Sequence, residues 1–376
     1  MSAWLLASGD FVPLGGMDTA NHALASYLAH QNGADVHLVA HRVSADLAAQ
    51  SAIRVHHVPR PLGLHSFGAP LLSRVAARRA RRIRQAGGHV VANGGNVDAG
   101  DVCWAHYVHA AYEPSAAGTL YSAVVAARHR RYVAAERRAL GRARIIICNS
   151  TRTMSDVVHC AGVHANRVRR VYYGIDSARF YPPSDSAAAK TALGFRAAAP
   201  VVLFVGALGD RRKGFDTLFA AWCDLCRSSD WDAQLLVAGS GAERRAWQAR
   251  AARNGTVADR IVFLGYRTDL PALIAAADVV VHPARYEAYG LAVHEALCCG
   301  VPALVSSSAG VAERFPDDLR PLLLDEVDSA AELVTRLRTW RGWRDEFKER
   351  AMLFSGTLRS RSWHDMSREF VAMVES

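Results

Sequence analysis

A chain that repeats short apolar runs, glycine-marked turns and helical spacing is held to one architecture: a parallel sheet with helices across its faces. The clearest instance runs from Ala277 to Val305. Ala277–His282 is an apolar strand, the next eighteen residues read PARYEAYGLAVHEALCCG, and Pro302–Val305 is the following strand. Leu291, Ala292, Glu295 and Ala296 fall at helical spacing, and Gly300-Val301-Pro302 stops the helix. The loop before that helix leaves the carboxyl end of a strand, where open parallel sheets bind ligands. Gly290 lets backbone approach a ligand closely. Helix-start amides near Tyr289–Ala292 suit phosphate oxygens. Glu287 and Glu295 bracket seven residues. A carboxylate there is badly placed for an anion and well placed for sugar hydroxyls. Glu295 therefore reads as a partner of a ribose or hexose diol beside a diphosphate, and Glu287 as a contact to another part of that ligand. The spacing alone equally allows two solvated acids at a helix start.

The same unit recurs along the chain. Trp4–Ala7 is a strand, Ser8–Met17 a loop containing Gly15-Gly16, and Ala20, Leu24, Tyr27 and Leu28 mark one face of a helix before the strand Asp35–Ala40. Ile53–Val58 is a further strand. Pro59–Pro70 reads as an irregular loop, and Leu71–Gln85 as an arginine-rich helix. The strand Asp101–Ala105 ends at His106, with His109 close behind. An imidazole at that end of a buried strand points toward ligand, and it can hydrogen-bond a sugar hydroxyl in either direction. Ser150 is a helix N-cap after Ile145–Cys148, and Pro182–Ser186 reads as a linker. After it, Val201–Val205 leads through Gly206 to Asp210-Arg211-Arg212-Lys213-Gly214. A lysine and arginines opening a helix make a phosphate clamp on charge grounds. Trp363–Val374 is amphipathic.

At 376 residues the chain is long enough for two domains, and 51% hydrophobic content supplies both cores. No apolar run reaches membrane-span length. Ala3–Ala7 has no basic region before it and reads as a buried strand rather than a signal peptide, so the expectation is a cytoplasmic protein. The seven cysteines lie in apolar stretches as reduced thiols, Cys223 and Cys226 included. The net charge is +10, and all but three of the 45 basic residues are arginines. They cluster in Arg74–Arg84 and Arg128–Arg144, which suits a polyanionic acceptor or an anionic membrane surface and equally a solvated helix face. No aromatic-interleaved basic stripe or recognition helix points to nucleic acid.

Glu, seven residues, Glu, then Ala-Leu-Cys-Cys-Gly-Val-Pro resembles the donor-site signature of the retaining nucleotide-sugar glycosyltransferases of family four (group 1). The likeness extends over nearly the whole chain in the family's motif order. It implies the GT-B fold: α/β, two Rossmann-like doubly wound parallel-sheet domains facing a central cleft. Residues 1–183 would bind the acceptor, with helix 361–376 packing back on them, and residues 184–360 the donor. By the same resemblance Gly16 faces the donor, His106 contacts the donor sugar and Lys213 the diphosphate. The family's arginine after the strand glycine is Ala207 here, a departure that Arg211 or Arg212 would have to make good. Tyr266 and Arg267 would meet the nucleobase, and the amides around Tyr289, Gly290 and Leu291 the diphosphate. Glu287 would hold the sugar and Glu295 the ribose. His106, Glu287 and Lys213 are the catalytic candidates. The implied reaction moves a hexosyl group, with retention, from a UDP- or GDP-type nucleotide sugar to an acceptor hydroxyl, in glycoconjugate, polysaccharide or glycolipid synthesis. The leaving phosphate would take the acceptor proton as domain closure brings Gly16 and His106 onto the donor. No Asp-x-Asp stands at a strand end, so neither an essential metal nor a cofactor is expected. The acceptor is expected to be anionic or lipid-linked, and the protein peripheral at the inner membrane face. Two other readings are a nucleotide-sugar epimerase, which lacks this acid signature, and a non-catalytic binder, for which Ala207 is the one hint.

Overall fold

In the computed structural model, which describes residues 3–114 and 119–376, the main strands form two all-parallel sheets. The first contains β1 (Trp4–Ala7), β2 (Val36–Ala40), β3 (Ile53–His57), β4 (His89–Asn93), β5 (Val102–Ala105), β6 (Ile145–Cys148) and β7 (Val168–Arg170), in the order β3-β2-β1-β4-β5-β6-β7. The second contains β8 (Val201–Val205), β9 (Gln234–Ala238), β10 (Ile261–Gly265), β11 (Val279–His282), β12 (Ala303–Ser306) and β13 (Leu323–Leu324), in the order β10-β9-β8-β11-β12-β13. The pairing is parallel throughout. Continuous apolar strands such as Ile145–Cys148 are buried along their whole length, as sheets covered on both faces require. Each sheet changes its direction of growth once, between β1 and β4 and between β8 and β11. Those switch points are where a doubly wound sheet leaves a crevice at its strand ends.

The chain forms two compact units. One comprises the chain up to Glu113, Val124–Gly174 and Ser362–Ser376, and the other is built on Ile175–Arg361. The passage between them falls at Gly174–Ile175, before the Pro182–Ser186 stretch. The helices used below are α1 (Gly16–Ala29), α2 (His65–Gln85), α3 (Thr119–Arg142), α4 (Phe215–Leu225), α5 (Leu291–Cys298) and α6 (Trp363–Glu375). In the first unit α6 packs on α1 and the sheet. Its Phe370 ring lies 4.6 Å from Trp104, and His364 lies 4.9 Å from Tyr27. A capping box at Ser362 and Asp365 fixes its start.

One stretch departs from its sequence reading. Residues 65–70, expected as irregular loop, are the first turns of α2, with Pro70 inside the helix. Proline removes one backbone donor. Burial of Leu72, Ala76, Ala80 and Ile83 on one face outweighs that loss. Among the described residues no helix is long and apolar enough to cross a membrane.

The second unit contains a buried ion pair that ties a short helix to the sheet. Lys190, only 4% exposed, donates to Asp278 at 2.6 Å and to the Ala199 carbonyl at 3.2 Å. Asp278 also accepts from the Val201 amide at 2.7 Å. Removing one partner leaves the other charge buried alone. Lys190→Ala is therefore expected to lower unfolding free energy by about 3–5 kcal/mol in urea titration. A loss below about 1 kcal/mol would show the pair to be solvated like a surface bridge.

Candidate functional site

At the switch point of the second sheet two exit loops meet. The loop after β8 passes through a 3₁₀ turn, Arg211–Lys213, and Gly214 caps α4 at φ 69°. A Cβ at Gly214 would sit 1.9 Å from the Pro283 carbonyl oxygen in the loop after β11, so only glycine allows the approach. Arg285 locks the same junction. Its amide donates to the Arg212 carbonyl at 2.7 Å, and its guanidinium grips both oxygens of Asp216 at 2.8 and 3.0 Å.

This junction delivers Lys213 to Glu287. The Lys213 ammonium donates to Glu287 Oε2 at 2.6 Å, and His282 Nε2, at the end of β11, donates to the same oxygen at 2.8 Å. Burial alone would raise the Glu287 pKa. The Lys213 charge and the His282 hydrogen bond overcome it and hold the carboxyl well below the usual carboxylate range. Glu287 is therefore ionised, with its charge shared among three side chains.

Three residues on from Glu287, Gly290 caps α5 at φ 103°, and a Cβ there would press to 3.0 Å from Val311. The first-turn amides of α5, those of Leu291 and Ala292 included, have no carbonyl four residues back within the helix, which leaves donors at its positive end. Tyr289 turns its phenol into the core, where its hydroxyl meets His294 Nδ1 at 2.5 Å, so only its backbone is left for a ligand. Glu295, on the second turn, is half-buried and accepts no side-chain hydrogen bond among the described residues. Desolvation pushes its pKa up to about 8, against the opposing charge of Arg179.

The remaining second-unit candidates are less concentrated. Arg212 forks onto Asp210 at 2.9 and 3.0 Å, so its charge is already matched. Arg211 is exposed and has no carboxylate partner among the described residues, and Ala207 is exposed beside it in sequence. Tyr266 is 66% exposed after β10, and Arg267 pairs with Asp269.

The first unit presents its own arrangement. Gly16 is the first residue of α1. At that sheet's switch point Asn21 and Asn93 both donate to Ser8 Oγ at 3.0 Å, and Asn93 donates to Asn21 at 2.8 Å, all three buried. His106 follows β5. Its Nδ1 lies 2.5 Å from the Tyr173 hydroxyl, which accepts from Asn149 at 3.1 Å. With the hydroxyl proton directed at Nδ1, the Nε2 carries the ring proton. Desolvation lowers the His106 pKa to about 3, so the ring is neutral. Its Nε2 has no partner among the described residues. His106, His109, Met17 and the inward face of α3 line a cavity of about 540 Å³.

Sequence reasoning passed over His282, Arg285 with Asp216, and Asn149 with Tyr173. His282 was legible as the one polar residue ending an apolar strand. The Arg285–Asp216 fork joins residues 69 apart and left no local signal.

Two doubly wound parallel sheets, each with polar side chains gathered at its switch point, define a two-domain α/β fold class. Residues 14–179 match the family model described as Glycosyltransferase Family 4, and residues 199–340 the one described as Glycosyl transferases group 1. The chain belongs to these group 1, family 4 glycosyltransferases, and its fold is GT-B. It is 37% identical over 150 residues, 38% of this chain, to a lipopolysaccharide core biosynthesis mannosyltransferase, LpsB, of Rhizobium meliloti. That match spans 41% of the relative's own length. Over 99% of both chains it is similar to the crystal structure of WaaG, a glycosyltransferase involved in lipopolysaccharide biosynthesis, with a TM-score of 0.79 and 23% identity. Anabaena HepE in complex with UDP-glucose aligns over the whole of both chains with a TM-score of 0.70 and 19% identity.

Glu295 couples folding to pH. Its folded pKa lies above the ordinary carboxyl value of 4.5, so the folded state holds a proton that the unfolded state releases between those two values. Stability from this group therefore falls as pH rises from about 4.5 to 8. Glu295→Gln removes that slope. Its melting temperature relative to the unaltered chain is expected to rise between pH 5 and pH 8.5, and a difference constant with pH would place the carboxyl at its ordinary value.

Proposed function

We propose that this protein transfers a hexosyl group from a nucleoside-diphosphate sugar to an acceptor hydroxyl with retention of configuration, in the synthesis of a glycoconjugate or glycolipid. The observation that carries the reading is the Lys213–Glu287–His282 cluster beside the open amides of α5. A departing diphosphate needs positive potential that is already in place. Lys213 and the Leu291 and Ala292 amides supply it, with Arg211 the basic side chain of that loop left without a carboxylate. Glu287, kept ionised, accepts hydrogen bonds from sugar hydroxyls. Glu295 takes the ribose diol and gives up its proton in doing so. His106 offers its Nε2 hydrogen to a hydroxyl of the transferred sugar. Tyr266 and Arg267 contact the base, and Gly16 is a further donor contact. The family membership and the UDP-glucose bound by HepE support a nucleotide-sugar donor. The leaving phosphate receives the acceptor proton, and no metal step is required.

We also place a peripheral membrane contact at the start of α2. There Leu62 is 84% exposed, Leu64 50% and Phe67 52%, ahead of the exposed Arg74, Arg78, Arg81 and Arg82. Apolar side chains beside a basic stripe suit an anionic headgroup layer.

Lys213→Ala is expected to weaken nucleoside-diphosphate binding at least about tenfold by calorimetry and to cut transfer about 100-fold or more. Glu287→Gln is expected to spare nucleotide binding and lose transfer, and chelators to leave turnover unchanged. Unaltered nucleotide affinity in Lys213→Ala would remove the diphosphate role, and loss of activity in chelator would remove the metal-free reading. Sedimentation with vesicles containing phosphatidylglycerol is expected to fall when Arg74, Arg78, Arg81 and Arg82 become Gln. Equal sedimentation would discard the α2 contact.

A further inference from the structure

The cavity of the first unit is unevenly charged. Arg128, Arg131 and Arg138 line it from α3, and the acids that share its wall are Asp98 and Glu136. Both acids are already engaged. Asp98 accepts from Arg142 at 2.6 Å. Glu136, buried, spends both oxygens on the His109 and Ala110 amides at 2.9 and 3.2 Å, and burial raises its pKa to about 7. Of the other α3 arginines, Arg137 donates to the Cys160 carbonyl and Arg142 to Asp98, while Arg130 is exposed and does not line the cavity. The three that line the cavity make no hydrogen bond or ion pair among the described residues.

Their spacing is directional. Positions 128, 131 and 138 fall within about 80° of one another around a helix, so they share a face. Arg128 and Arg131 are one turn apart, about 5 Å, and Arg138 lies about 10 Å further along at ~1.5 Å per residue. Adjacent guanidiniums present several N–H donors in a fork that fits phosphate oxygens. At the same cavity His106, 6% exposed, keeps a ring nitrogen without a partner. Three unmatched cations on one wall of the cavity ask for a ligand that is polar and negative.

We propose that this cavity is the acceptor site of the transferase described above and that it selects a phosphorylated acceptor, Arg128 and Arg131 holding the phosphate and Arg138 a second anionic group. The phosphate stays intact: it is a handle, and the reacting group is a hydroxyl of the same acceptor. The inference rests on the transferase reading for the word acceptor, while the anion site stands on the cavity alone.

The full-length chain is titrated calorimetrically with glucose, glucose 6-phosphate and inorganic phosphate, and sedimented with vesicles containing phosphatidic acid. The comparison is the variant R128Q/R131Q/R138Q, with R131E as a second. All three positions are exposed, and equal melting temperatures verify that the variants fold. At least a tenfold preference for glucose 6-phosphate over glucose is expected, lost in both variants and weakened by salt. Vesicle binding lost in the same variants, without soluble binding, assigns the phosphate to a lipid-borne acceptor. Phosphate probes that bind no better than glucose while the vesicles bind the variants as well as the unaltered chain overturn the proposal. Binding of a nucleoside diphosphate, followed in parallel, separates the two readings: if it persists while the phosphate preference fails, the anion site falls and the transferase stands. If it is absent from the unaltered chain, the transferase reading falls.

Discussion

A carboxylate withdrawn from water survives as an anion only when opposite charge and hydrogen-bond donors surround it. Glu287 meets that condition through Lys213 and His282, and much of the second unit's local structure serves the meeting. The sheet order sets β8 beside β11, so their exit loops are neighbours. Glycine at 214 lets those loops touch at the Pro283 carbonyl, and Arg285 ties one to the helix that follows the other. The outcome is a lysine and a carboxylate distant in sequence and 2.6 Å apart in space. Such a pair has a use beyond stability. Each partner can exchange the other for a ligand group, the ammonium for a phosphate oxygen and the carboxylate for a hydroxyl, with little change in local charge.

The two sheets repeat one strand order and furnish it differently. At the second switch point an ionised Glu287 is closed on Lys213. At the first the side chains are neutral amides and a hydroxyl, Asn21, Asn93 and Ser8, which satisfy one another in a buried network. In the first unit's cavity the unmatched charge is on α3, in Arg128, Arg131 and Arg138. His106 lies in that unit as a neutral imidazole, its tautomer set by Tyr173 and Asn149. A ring held neutral well below physiological pH donates without titrating, which suits contact with a hydroxyl rather than proton transfer.

Much of the fold was legible because parallel strands buried on both faces are written as unbroken apolar runs. Val201–Val205 and Ile145–Cys148 agree with their readings end to end. Residues 65–70 were not legible, since proline and glycine argue locally for a loop while the buried face of α2 holds the helix from a distance. In the site, Lys213, Glu287, Gly290 and Glu295 stood out by spacing and residue type. Their pairing did not, because it is made by tertiary contact. Tyr289 was read for its backbone amide at a helix start, and its phenol is core. The arginine clusters show the same limit: sequence counts the charges, and only the fold tells that Arg142 and Arg212 are matched while Arg128, Arg131 and Arg138 are not.

The most direct test is a crystal of the chain soaked with UDP or GDP. The expected result is a diphosphate against the Leu291 and Ala292 amides, within hydrogen-bond reach of Lys213 Nζ, with the ribose hydroxyls on Glu295. A nucleotide bound elsewhere, or a diphosphate at that helix start with Lys213 still closed on Glu287 and out of its reach, would contradict the role given to the buried pair.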